Sequence, residues 1–163
     1  MAQSSDRIAG VEIRLPSSVV VEMRDGTRHC VDLTGWIATG GEVLAPLQAA
    51  QIFGRVVVSD HGTAIAWDDA DLAIDVHHLV LLAREQEAFD GAAIAAWQAA
   101  MTLSNHEAAD FLGIAVSTWH GYKTGSTIPA AVAMACRAAR RDPLIMQAHF
   151  RPRRPAGRPR ATA

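Results

Sequence analysis

The 163-residue sequence is poor in cysteine: Cys30 and Cys136 lie in opposite halves, without CxxC spacing or clustered histidines. That argues against a disulfide framework or a cysteine-based metal site, and both thiols are expected to be reduced, buried small hydrophobes. Long apolar runs are missing too. The stretch around Leu79 to Ala83 is short and closely flanked by charge, far from the roughly 20 residues a membrane span needs. The start, MAQSSDR, lacks a basic segment followed by an apolar core, so no signal peptide and a cytoplasmic location are expected. Nucleophile motifs, phosphate loops and zinc spacings are absent, which leads to the expectation of no enzyme, no cofactor and no metal site.

Half the residues are apolar, enough for a core in one medium domain or two small ones. The net charge of -2 hides an asymmetry. Residues 1–103 hold six arginines against fourteen acids, a net -8, whereas residues 104–163 hold nine bases against three acids, a net +6. A basic segment joined to an acidic one suits a polyanion at one end and a different partner at the other, although solubility alone also accounts for such a pattern.

The N-terminal half reads as strands. Val11 to Leu15 alternates, Pro16 interrupts, and Val19 to Met23 is rich in β-branched residues. Asp25-Gly26 supplies a tight turn into a partner strand from Thr27 to Leu33, and a second hairpin joins Arg55–Val58 to Thr63–Trp67 across Asp60-His61-Gly62. About five short strands are expected. Gly40-Gly41 is read as a loop, Pro46–Phe53 as a short helix, and Asp68–Asp71 as a loop before a helix capped by Asp75 and ending near Arg84. The fold class is therefore α+β: a small antiparallel-sheet domain over 1–84, a linker over 85–91, an all-α domain over 92–150, and an Arg/Pro-rich tail over 151–163 expected to be disordered alone.

Helical signals dominate the second half. Ile94, Trp97 and Met101 share one face of a helix from Ala92 to Met101. Ser104-Asn105-His106-Glu107 is a capping box opening a helix to Leu112, and Gly113 follows where a positive φ is needed. A third helix spans Val116 to Lys123 and ends at Gly125, with Trp119 and Tyr122 turned inward rather than toward bases. A fourth runs from Ala130 to Arg141, with Val132, Ala135 and Cys136 or Ala139 packed inward. Two short helices joined by a glycine turn match a helix-turn-helix, whose second helix can enter the major groove.

The stretch Leu103 to Ile114, followed by Ser117-Thr118-Trp119 and Tyr122-Lys123-Thr124-Gly125, resembles the Cro and phage-repressor family over about fifty residues. The resemblance implies a lambda-repressor-like fold in which Ala109 permits close helix approach and Ile114, Trp119 and Tyr122 pack beneath the recognition helix. It implies base-facing positions at Val116, Ser117, His120 and Gly121, a phosphate contact at Asn105, and further contacts at Lys123 and Thr124. Two departures stand out: Ala115 replaces the usual polar cap, and no Gln, Arg or Asn occupies a base-facing position, so modest selectivity is expected.

The tail Arg151-Pro152-Arg153-Arg154-Pro155-Ala156-Gly157-Arg158-Pro159-Arg160 resembles an AT-hook at Gly157-Arg158-Pro159. Arg151, Arg153, Arg154, Arg158 and Arg160 are accordingly candidate DNA contacts, with a solubilising tail as the alternative. Residues 8–83 are similar to a bacterial domain family of unknown function, some members of which carry a Cro-like domain behind it; Asp68 stands where that family commonly has proline. Asp68, Asp69, Asp71 and Asp75 near His77 and His78 could form a metal or proton-transfer cluster, but capping and solvated charge are the favoured roles. The expected function is a DNA-binding transcriptional regulator, a repressor acting as a homodimer on double-stranded DNA with no membrane association. The alternative is an antitoxin-like or adaptor protein whose acidic half binds a partner protein and whose DNA binding is autoregulatory.

Overall fold

A computed structural model describes residues 7–153 and divides the chain after Glu87 into two compact units. In the first, strands β1 (Ile8–Arg14), β2 (Ser18–Met23) and β3 (Arg28–Asp32) form an antiparallel sheet in that order. Gly26 makes the β2–β3 turn at φ +86°, and Asp25 accepts from the Thr27 amide at 2.8 Å, which holds its carboxyl below the ordinary range. Strand alternation turns Val19, Val21, Met23 and Val31 into the core. The same alternation corrects the expectation for Cys30: its neighbour Val31 is fully buried, so Cys30 points outward and is exposed, while Cys136 is buried.

The β2–β3 ladder uses the backbone groups of Thr27 and Leu33, which bond Met23 and Ser17. By parity, the backbone groups of Arg28, Cys30 and Asp32 face the opposite edge of β3. At Asp32 a side chain closes that edge: its N–H donates to Gln86 Oε1 at 2.8 Å, and Gln86 Nε2 donates to its carbonyl at 2.7 Å.

Between the sheets the chain is helical earlier than the sequence suggests. Helix α1 (Thr34–Thr39) and α2 (Gly41–Leu44) meet at Gly40-Gly41, a helix junction rather than a loop, with Gly41 at φ +58°. A 3-10 turn (Ala45–Gln48) and α3 (Ala50–Phe53) replace the single helix expected from Pro46. The second antiparallel sheet contains β4 (Val57–Ser59), β5 (Ala64–Trp67) and β6 (Leu72–Asp75). Strand β6 was not expected. Asp71, in left-handed conformation at φ 52°, returns the chain so that Leu72 pairs with Trp67. Six strands therefore stand among the described residues where about five were expected.

Leu33, Leu47, Phe53, Ile65, Trp67 and Leu79 fill this unit's core, and Trp67 Nε1 donates to the Phe53 carbonyl at 2.9 Å. Helix α4 (Val76–Gln86) is capped by Asp75, which accepts from the His78 amide, and it runs past Arg84 into the expected linker.

The second unit contains α5 (Gly91–Ala100), α6 (Asn105–Leu112), α7 (Val116–Lys123), α8 (Ala130–Arg141) and α9 (Pro143–His149). Helix α9 was not singled out in the sequence, although its start is signalled: Asp142 accepts from the Leu144 amide and Pro143 occupies the first turn. Ile94, Trp97, Ala108, Ala109, Trp119, Tyr122 and Cys136 make the core. Burial pushes the Cys136 thiol up to about 12, against the opposing pull of Arg137.

Candidate nucleic-acid interface

Helix α6 begins where its sequence dictates. Ser104 Oγ accepts from the Glu107 amide at 3.2 Å, and Glu107 Oε2 accepts from the Ser104 amide at 2.8 Å. It ends at Gly113, whose φ of +68° lets the Ile114 amide turn back to the Ala109 carbonyl at 3.0 Å. Ala108 and Ala109 are fully buried, so α6 and α7 approach without a large side chain between them. Helix α7 then starts at Val116 with no side-chain cap at Ala115. Trp119 and Tyr122 turn inward, and Trp97 packs on Trp119 and Phe111 at centroid distances of 6.1 and 5.9 Å. Trp97 Nε1 is buried and finds no acceptor among the described residues.

The outward side of α7 is only partly the one expected. Ser117, His120 and Thr124 are exposed, and Thr118, not anticipated, is exposed beside them. Val116 is half-buried and packs on the core. Gly121 is backed by the following turn: its carbonyl accepts from the amides of Thr124 and Ser126, and a methyl group on it would lie 3.1 Å from Ser126 Oγ. Val116 and Gly121 thus serve packing, leaving an outward face of hydroxyls and one imidazole.

Asn105 and Lys123 are joined by a residue that the sequence did not flag. Asn105 Oδ1 accepts from Gln98 Nε2 at 3.0 Å, Trp119 Nε1 at 3.0 Å and Lys123 Nζ at 3.3 Å. Lys123 Nζ also donates to Gln98 Oε1 at 2.9 Å, and Gln98 Nε2 to the Leu103 carbonyl at 3.0 Å. This part-buried network ties α5, α6 and α7 together. It occupies the Lys123 ammonium internally and fixes the Asn105 amide, leaving its Nδ2 hydrogens without an acceptor among the described residues. Gln98 offers one signal, as the lone polar side chain within the apolar run Ala92–Ala100.

The arginines of the tail divide. Arg153 is held by Asp110: its amide donates to Oδ2 at 2.7 Å, its Nε lies 3.3 Å from Oδ1, and its guanidinium donates to the Ile114 carbonyl at 3.3 Å. The Asp110 side chain is only 8% exposed. Arg151 donates to the Phe150 carbonyl. Arg154, Arg158 and Arg160 lie outside the described residues, as does the Gly157-Arg158-Pro159 motif.

In the β-rich unit the acids near His77 and His78 are dispersed. Asp75 caps α4, Asp69 pairs with Arg55 at 2.7 Å, and His78 meets the edge of Trp36 at 6.4 Å. Among the described residues, no three His, Cys, Asp or Glu side chains converge as a metal site would require. No described helix is long and apolar enough to cross a membrane.

No family model matches the chain, and no curated protein matches it. Among solved structures it is similar to a Nitrosomonas europaea protein that carries a provisional DNA-binding description. The likeness has a TM-score of 0.44 and 24% identity over 82% of this chain and 85% of that one.

Proposed function

We propose that the helical unit binds double-stranded DNA as a helix-turn-helix, and that the protein is a transcriptional regulator, a repressor acting by occupancy rather than by turnover. The observation that carries the reading is the α6–α7 pair. Its small-residue contact at Ala108 and Ala109, its glycine turn and its inward Trp119 and Tyr122 support an α7 held rigidly with Ser117, Thr118, His120 and Thr124 outward. A groove-reading element requires that combination of fixed backbone and exposed polar side chains.

Asn105 fits a phosphate contact, because with Oδ1 saturated only the Nδ2 donors remain to meet an anionic oxygen. The net +6 over residues 104–163 favours the same polyanion. Single hydroxyls and one imidazole make few bidentate base contacts, so the phosphate and tail contributions outweigh direct readout in affinity. The non-catalytic reading is supported by the employment of Asp69 and Asp75 as ion-pair and capping groups.

Selection of genomic fragments by the purified full-length protein at low salt tests the proposal. Enrichment of fragments sharing a half-site, repeated at a fixed spacing, is expected; a bound fraction indistinguishable from input overturns it.

A further inference from the structure

We propose that Asp110 is a positioning residue for DNA binding: it fixes the root of the basic arm, residues 154–163, beside the N-terminal end of α7, so that arm and helix meet the same stretch of duplex. The role deepens the DNA-binding reading of the helical unit and rests on it.

Three contacts set the root. Asp110 Oδ2 accepts from the Arg153 amide at 2.7 Å, Oδ1 lies 3.3 Å from Arg153 Nε, and the Arg153 guanidinium donates to the Ile114 carbonyl at 3.3 Å. Asp110 belongs to α6, and Ile114 lies in the turn two residues before α7 begins at Val116. The chain, having left α9 at His149, is thus fastened to the α6–α7 turn. An exposed ion pair would hold it weakly, but here the carboxylate is only 8% exposed and one of its bonds is to the backbone of the arm itself.

The N-terminal residues of a recognition helix are the ones that reach base edges. In α7 that end carries Ser117 and Thr118 outward. The arm therefore starts at the DNA-proximal end of the helix, with Arg154, Arg158 and Arg160 one, five and seven residues beyond the anchored Arg153. Released from Asp110, the same arginines would be five, nine and eleven residues beyond His149, where α9 ends. Effective concentration falls as about the −3/2 power of tether length, so release costs roughly twofold at Arg158 and at Arg160 and more at Arg154.

Charge alone predicts the opposite sign. Asp110 is an acid at a surface that would meet a polyanion, and replacing it by alanine raises the net charge and frees Arg153. The replacement strands no buried charge, because the Arg153 side chain is 55% exposed and can turn to water. On electrostatics Asp110→Ala should tighten DNA binding; as the loss of a positioning residue it should weaken it.

Affinity for a random-sequence DNA duplex, measured by fluorescence anisotropy at fixed salt, separates the two. Asp110→Ala should weaken binding about three- to tenfold in the full-length chain and leave it unchanged or tighter in a chain ending at Arg153. Equal or tighter binding by the full-length variant overturns the proposal, as does the same weakening at both lengths, which marks a damaged fold. If circular dichroism shows Asp110→Ala unfolded, Asp110→Asn, which keeps the side-chain volume but not the charge, takes its place with the same outcomes. Trypsin reads the anchor without DNA. Arg151, Arg154 and Arg158 each precede proline, a bond trypsin does not cut, so Arg153 and Arg160 are the sites left in the tail. Trypsin must draw the Arg153 guanidinium into its own pocket, so cleavage after Arg153, followed by mass spectrometry, should be at least about fivefold faster in the variant than in the parent. Equal rates overturn the anchor. A parent that binds no DNA overturns the DNA-binding reading and this role with it; a parent that binds, with a full-length variant that binds as well, overturns this role alone.

Discussion

Asn105 holds a structural network together and, in the proposed function, also meets phosphate, two roles that substitution can separate. Asn105→Ala removes the acceptor of three donors at once, leaving Trp119 Nε1 without its partner. The expected cost is about 2–3 kcal/mol in urea unfolding. Asn105→Asp retains an acceptor and gains attraction for Lys123, so it should unfold within about 1 kcal/mol of the parent. A carboxylate cannot donate to phosphate, so this variant should lose DNA affinity several-fold; equal affinity would remove Asn105 from the interface. The thiols separate by burial. At pH 8 an aromatic disulfide reagent should label Cys30 promptly and Cys136 only after unfolding, since Cys136 is buried and its thiol stands at about 12. The sign of the linkage follows: an ordinary thiol near 9 ionises first in the unfolded chain, so this group's stability contribution is complete below pH 9 and is lost between pH 9 and about 12. Prompt labelling of both thiols in the native protein would contradict the burial. The inward turn of Trp119 and Tyr122 was legible because helical spacing is local. The Gln98–Asn105–Lys123 network was not, because its partners come from three helices and pair only once these pack.

Among the elements, α6, α7 and α8 were legible to the residue, since each is bounded by a local signal: the Ser104 capping box, Gly113, Gly125, and Pro129 before α8. Strand β6 and helices α1 and α2 were not, being four to six residues long and lacking strong propensity, whereas α3 is the second half of the helix expected over Pro46–Phe53. Tertiary contact decides them, as where Ile74 and Ile37 enter the core. Two glycines test how the helices of the second unit are held. At Gly113 an added methyl group meets nothing within 4 Å, so Gly113→Ala pays only for a positive φ, about 1 kcal/mol. At Gly91 the methyl would stand 2.9 Å from the carbonyl oxygens of Tyr122 and Lys123, so α5 must move away from the end of α7. Gly91→Ala should therefore be the more damaging, by about 1–3 kcal/mol beyond Gly113→Ala in urea unfolding. The reverse order would refute a close α5–α7 approach.

At the scale of the whole molecule, the proposed DNA binding and the charge division along the sequence together predict how affinity responds to salt. Deleting residues 154–163 removes three arginines, and the slope of log affinity against log salt should fall by roughly 2–3 units if each meets a phosphate. Arg153→Ala should change it by less than about 0.5, because Asp110 already neutralises that guanidinium. An unchanged slope after the deletion would return the tail to a solubilising role. The β-rich unit poses a different problem, since an antiparallel sheet has edges, and the hydrophobic pattern of the sequence says nothing of how they end. At Asp32 the Gln86 amide takes the place of a neighbouring peptide group, bonding both the N–H and the C=O of the strand. Without it, the N–H and C=O of Asp32 would be left unpaired at the edge of β3, where a foreign strand could bond them. Gln86→Ala should therefore speed thioflavin-positive aggregation on prolonged incubation more than it lowers the melting temperature. If that aggregation test succeeds, one glutamine at the end of a helix sets the shelf life of the protein by denying its own sheet a seed for fibrils.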